Sequence, residues 1–96
     1  MAVDWSKRGG YIAKRNLTPA QADEALDDPY RVLIVPDYNS RSGDSARIIG
    51  YSQSAGAVLT VITVFSHEDN VTYGANAWRA NARDRRYYEQ GGMDDE

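Results

Sequence analysis

Cysteine is missing from all 96 residues of the chain, and histidine occurs once. The first absence excludes disulfides, thiolate metal sites and thiol nucleophiles. The second excludes a histidine pair acting as acid and base, and a metal held by several imidazoles. No phosphate-loop pattern is present either: "RSGDS" and "QSAG" are too short and lack a following lysine-bearing helix. Serines are plentiful, but no motif activates one. The longest mainly apolar stretch, "AGAVLTVITVF", is too short and too rich in β-branched residues to span a bilayer. Only three residues precede Asp4-Trp5, with no charged-then-apolar signal. The expectation is a cytoplasmic protein with no membrane partner, no metal and no other cofactor.

What is present suits one small domain, expected over residues 1–90, followed by an acidic tail over 91–96 that is expected to be disordered. Hydrophobic residues make up 42% and charged residues 26%, the balance of a folded chain. A net charge of −3 argues against general, long-range attraction to nucleic acid. Its distribution is uneven, because four of the eleven basic residues, Arg79, Arg83, Arg85 and Arg86, crowd near the end.

The punctuation between elements is clear. In "LTPAQADEALDDP", Thr18 is an N-cap, Pro19 takes the first helical position and Gln21 completes a capping box. Ala22, Ala25 and Leu26 share one face of that helix, and Asp27-Asp28-Pro29 stops it. Before it, "DWSKRGGYIAKRN" reads as a helix capped by Asp4, with Trp5 and Ile12 on one face and two glycines that weaken it. "YRVLIV" reads as a strand ended by Pro36, and "ARIIGYS" and "AVLTVITVF" as a hairpin turned by "QSAG". In the second of these, apolar residues fall on both faces, which predicts a central strand. "SHEDN" is a further turn holding His67, read as a solvated turn residue or, less favourably, an acid. "VTYGANAW" is a last strand, and Asn81 caps a helix that has Asp84 at its third position and Gly91 as its stop. The fold class is α+β: two N-terminal helices, an antiparallel sheet of three to four strands, and a C-terminal helix.

The basic helix is the candidate for chemistry. Arg79 lies just before the cap, at the bend from strand to helix. Arg83 shares a face with Arg86 and Tyr87, and Arg85 pairs with Tyr88 at spacing three. Guanidinium forks grip phosphates, tyrosines stack on bases or donate hydrogen bonds, and a helix start offers free N–H groups. The alternative is that a tyrosine packs in the core while the arginines pair with Asp84, Glu89 or solvent. Trp78 is likewise a stacking platform or a core residue.

With these residues placed, the chain resembles the BrnT family, small toxins of bacterial toxin–antitoxin pairs related to the RelE and ParE toxins. The resemblance rests on Asp4-Trp5-Ser6-Lys7, on Lys14-Arg15-Asn16-Leu17-Thr18 with Ala22 in the following helix, and on "RVLIV". It continues through Arg47-Ile48-Ile49-Gly50 and Val61-Ile62-Thr63-Val64. The closing frame falls on Ala77, Ala80, Asn81, Asp84, Arg85 and Tyr88. The resemblance implies a RelE-like fold, ribonuclease-type toxicity and neutralisation by a neighbour-encoded antitoxin. It also implies cleavage by the RNA's own 2′-hydroxyl, with cationic side chains stabilising the crowded phosphate.

Two readings of function follow. In the first, the chain is a toxin-like ribonuclease. Arg47, Arg79 and Arg83 hold the scissile phosphate and Tyr88 orients it or shuttles a proton; Arg15, Trp78, Arg85, Arg86 and Tyr87 bind RNA or a partner. That reading requires Arg47 and the arginines of the closing helix to converge on one anion pocket. In the second, the chain is a non-catalytic protein-interaction module that keeps the toxin fold and binds an antitoxin or other partner through tyrosines and arginines. An exposed "YRVLIV" edge would then pair with an antitoxin segment or a second copy, giving a homodimer or a hetero-oligomer.

Overall fold

A computed structural model describes residues 3–93; Asp94 to Glu96, the end of the expected acidic tail, lie outside the described residues. The elements run α1 (Gly9–Ala13), α2 (Pro19–Leu26), β1 (Val32–Ile34), β2 (Ser45–Ser52), β3 (Ala57–Ser66), β4 (Val71–Arg79) and α3 (Ala82–Gln90). The strands form one antiparallel sheet in the order β1-β2-β3-β4, so each pairs with its neighbour in sequence. The α+β layout is as the sequence suggests, with four strands.

Helices cover both faces of this sheet. On the first face, Ile12, Leu17, Ala22, Ala25 and Leu26 bury against Ile48, Leu59, Val61 and Ala77. On the second, α3 lays Tyr87 and Tyr88 over Val32, Ile34 and Ile49. β3 is therefore apolar on both sides, and Leu59, Thr60, Val61, Ile62 and Thr63 are all buried. That is the central strand its residue pattern predicts.

α2 begins as read: the Thr18 side chain accepts from the Gln21 N–H at 3.1 Å, and the Thr18 N–H donates back to the Gln21 side chain at 3.0 Å. This reciprocal pair satisfies two of the amides a helix start leaves open. α3 is likewise capped by Asn81 and closed by Gly91 in the left-handed conformation, φ 81°.

The first helix departs from expectation. It spans Gly9–Ala13 alone, and Asp4 is no cap. The Asp4 N–H donates to the Thr72 carbonyl and its carbonyl accepts from the Gly74 N–H, both at 2.9 Å, as a parallel bridge beside β4. This holds Trp5 flat on Gly74, where an added Cβ would lie 2.4 Å from the indole. Trp5 also donates to Asp23 at 3.0 Å, tying the N-terminal segment to α2. The pull of this anchorage keeps the segment extended until after Trp5, so the helix starts late.

The two sheet edges differ as a result. The β4 edge is bridged by Asp4 and carries an irregularity between Ile62 and Thr63, where Ile62 pairs with Asn76 and Thr63 with Gly74. The β1 edge has no strand beyond it among the described residues, and Leu33 and Val35 there are 56% and 65% exposed.

Candidate functional site

Strand alternation decides which cations can meet. Arg47 of β2 lies opposite Ile62 and beside Ile34, on the second face. Trp78 of β4 lies opposite Thr60 and shares that face, whereas Arg79 lies opposite Leu59 and points to the first. β4 runs through Arg79 and is regular from Asn76 onward, so these neighbours take opposite sides. The expected pairing of Arg47 with Arg79 on one anion is therefore corrected: the sheet separates them.

Arg47 is also already occupied. It is 2% exposed, and its Nε donates to Asp37 at 2.7 Å. Its Nη1 donates to Asp84 at 2.6 Å and to the Tyr38 hydroxyl at 2.7 Å. Asp84, fully buried, accepts further bonds from the Tyr38 hydroxyl and the Thr60 hydroxyl, each at 2.7 Å. Burial would raise the Asp84 carboxyl, but the hydrogen bonds from Tyr38 and Thr60 and the charge of Arg47 outweigh it and hold it below 3.8. Arg47 thus braces α3 against the sheet, and it is not a free phosphate ligand.

Tyr88 needs a second correction. Its hydroxyl donates to Asp28, and Asp28 also accepts from the Tyr30 and Tyr51 N–H groups at 2.9 and 2.8 Å. Burial, then the bond to Asp28, pushes the Tyr88 hydroxyl up to about 12. A phenol so held shuttles no proton near neutral pH; it fastens the far end of α3. Tyr87 is half-buried and meets Tyr38 edge to face at 6.4 Å. At the α3 start the Asn81 side chain takes the Asp84 N–H, one of the amides a helix start leaves open.

Other expected residues do come together. Arg15 reaches round the β4 edge, donating from Nη1 to the Asn76 side chain at 2.7 Å with its guanidinium 5.8 Å from the Trp78 ring. Arg79 donates to the Arg15 carbonyl at 3.3 Å. Arg83 stands 4.9 Å from the Tyr38 ring, whose centre is 4.0 Å from the Arg47 guanidinium; Arg47 in turn lies 5.5 Å from Trp78. Beyond Arg15, Tyr11 is flanked by Arg15 at 5.8 Å and by Arg8 at 4.3 Å. Cations and rings thus alternate from Arg83 through Tyr38, Arg47, Trp78, Arg15 and Tyr11 to Arg8. Arg47 is the buried middle of this row, while Arg83, Arg15, Tyr11 and Arg8 are exposed and Trp78 is half-buried. Arg85 turns back to the Ala80 carbonyl at 2.8 Å, and Arg86 is exposed outside the row.

No sequence pattern singles out Asp37, Tyr38 or Thr60, which lie on two separate segments, the β1–β2 loop and β3, and meet only through the sheet. Sequence reasoning also passed over Arg8 and Tyr11, although Arg8, Tyr11 and Arg15 stand at helical spacings of three and four. His67 is exposed on its turn, 3.7 Å from Asp44 and away from the row. Among the described residues no cluster of side chains has the make-up of a metal site. No helix among them is long and apolar enough to cross a membrane. No protein-family model matches this chain, and no curated protein matches it.

Proposed function

We propose that the chain acts on RNA. It lays a single strand along the row from Arg83 to Arg8 and promotes cleavage by the RNA's own 2′-hydroxyl, as a RelE-like toxin of the BrnT kind, checked by a neighbour-encoded antitoxin. The observation that supports this reading is the alternation of guanidinium groups and rings across the second sheet face and round the β4 edge. Single-stranded nucleic acid offers the matching alternation of phosphate and base. Each base stacked on a ring contributes about 1–3 kcal/mol, and each exposed arginine of the row neutralises a phosphate. Duplex would fit poorly, because its bases are not available to lie on Trp78 or Tyr11.

The roles shift accordingly. Arg15 and Arg83 hold phosphates on the row, and Arg79 supports Arg15 from the other side of the edge through its carbonyl. Trp78 stacks a base. Arg47 and Tyr88 set the shape of the surface. Catalysis then comes from positioning and from fixed positive charge beside the crowded phosphate. The low isoelectric point is no obstacle, since Asp23 and Glu24 lie on α2 and Asp27 just after it, on the first-face side.

Induction of the wild type in a bacterial host, beside Arg15→Ala/Trp78→Ala and Arg79→Ala/Arg83→Ala, tests the reading. Growth arrest with fragmented cellular RNA is expected for the wild type. Both double variants should lose most of it while their circular dichroism is unchanged. A wild type that neither slows growth nor cuts or binds RNA removes the proposal.

A second reading is favoured by a separate observation, the uncovered β1 edge with its exposed Leu33 and Val35. It is the non-catalytic docking module, taking an extended segment of an antitoxin or a second copy along β1. Light scattering of the purified chain, alone and with its neighbour's product, tests this docking: a monomer in both runs excludes it.

A further inference from the structure

Arg83 is exposed on the first turn of α3, and a long side chain in such a place samples many rotamers. One element of the fold limits that freedom. The Tyr38 ring lies between two guanidinium groups, 4.0 Å from Arg47 and 4.9 Å from Arg83. Its hydroxyl is fixed twice, donating to Asp84 at 2.7 Å and accepting from Arg47 Nη1 at 2.7 Å. Its edge is fixed a third time against Tyr87. A ring fixed at its hydroxyl by buried Arg47 and Asp84 and at its edge by half-buried Tyr87 is a rigid platform, and the face it turns to Arg83 is electron-rich.

We infer that Tyr38 is a positioning residue for Arg83: its ring, immobilised by the buried Arg47–Asp84 pair, holds the Arg83 guanidinium at the end of the row where it meets a phosphate. This rests on the RNA-binding reading above, and it adds a residue that touches no ligand itself. The ring and the hydroxyl have separate duties. The hydroxyl belongs to the buried network, whereas the ring faces Arg83.

Substitution separates them. Tyr38→Phe and Tyr38→Leu both lose the hydroxyl and suffer the same loss to the network, but only the second loses the ring. Tyr38→Met serves as the ring-free variant if the leucine chain does not fold. Two measurements are made on each folded protein. The first is the rate at which phenylglyoxal modifies Arg83, read by peptide mass; it needs no RNA. The second is the affinity for labelled oligouridylate across a salt series.

In the ring-free variant, Arg83 should react about two- to fivefold faster than in Tyr38→Phe, the effect of one exposed cation–π contact. Oligouridylate binding should weaken by a similar factor, with the salt slope smaller by about 0.7, the loss of one phosphate contact. Tyr38→Phe, whose ring keeps its contacts with Arg47 and Tyr87, should stay nearer the wild-type slope than the ring-free variant, and Arg83→Ala should show the reduced slope with no further change when the ring is also removed. Equal Arg83 reactivity in the phenylalanine and ring-free variants overturns the inference. Wild-type protein that binds no oligouridylate overturns the RNA reading instead, while the modification rates still decide the role of Tyr38.

Discussion

Replacing Arg47 by methionine should act on the fold before it acts on any substrate. The methionine fills much of the same volume but leaves Asp84 fully buried and Asp37 at 7% exposure with no cation between them. Removing one partner of a buried pair costs about 3–5 kcal/mol, because the remaining charge stays desolvated. A domain of this length is stable by only about 5–14 kcal/mol, so a large share of the total is lost. At about 4–8 °C for each kcal/mol, the melting temperature should fall by roughly 12–40 °C. Arg79→Ala is the control: an exposed side chain with one 3.3 Å bond to a carbonyl should change stability by about 0.5 kcal/mol or less. Thermal melts followed by circular dichroism at neutral pH measure both. The deficit should also shrink in acid. Without Arg47, the Asp84 carboxyl loses part of what holds it low, so acid costs the variant less than the wild type and the variant gains relative to it as the pH falls below about 4. An Arg47→Met protein that melts within a few degrees of wild type, or whose deficit is constant with pH, would refute the assignment of Arg47 as a brace.

Other outcomes follow from the same geometry. In the wild type the Asp84 and Asp28 carboxyls are both held low. Burial, which would raise each, is outweighed for Asp84 by Tyr38, Thr60 and Arg47, and for Asp28 by bonds from Tyr88, Tyr51 and Tyr30. Their stabilisation is present above the ordinary carboxylate range and lost as the pH falls through the lowered values, so urea midpoints should drop below about pH 4. Tyr88 has the opposite sign: its contribution is complete below 10.0 and disappears as the pH climbs towards about 12, which a tyrosinate absorbance titration of wild type against Tyr88→Phe would resolve. Gly50→Ala should destabilise by about 1–3 kcal/mol, since its Cβ would stand 2.1 Å from the Ala25 carbonyl oxygen and push α2 off the sheet. Gly74→Ala should do the same by displacing Trp5, with a change in tryptophan fluorescence that Gly50→Ala lacks.

Local grammar was the readable part of this fold. Thr18, Pro19 and Gln21 specify the start of α2 by chemistry confined to four residues, and the hydrogen bonds form as written. The same holds for Asn81 and Gly91 around α3, and for the two-sided pattern of β3, whereas the Asp84 side chain turns inward to Arg47 instead of back to the cap. Where a distant partner competes, local signals lose. Asp4 looks like a helix cap, but the β4 edge offers its backbone two hydrogen bonds and Gly74 offers Trp5 a seat. The site followed the same rule. An arginine in an apolar strand must find a counter-charge, yet nothing near Arg47 in the chain announces that Asp37, Tyr38 and Asp84 provide it. Arg79 was misplaced for a simpler reason: β4 continues one residue past Trp78, and one residue is enough to change faces. Arg15 and Trp78 were singled out and do meet, although their contact runs round an edge that no spacing rule describes.

The buried pair joins residue 47 to residue 84, and Thr60 on the strand between also grips the same carboxylate. A nascent chain is made from its N-terminus, so Arg47 and Asp37 are both present long before their third partner has been synthesised. Until α3 arrives, the second sheet face carries an unfinished charge network, and Tyr38 lacks both Asp84 and Arg83. The arginine-lined surface is therefore completed last during translation, and a ribosome that stops short of α3 releases a polypeptide without it.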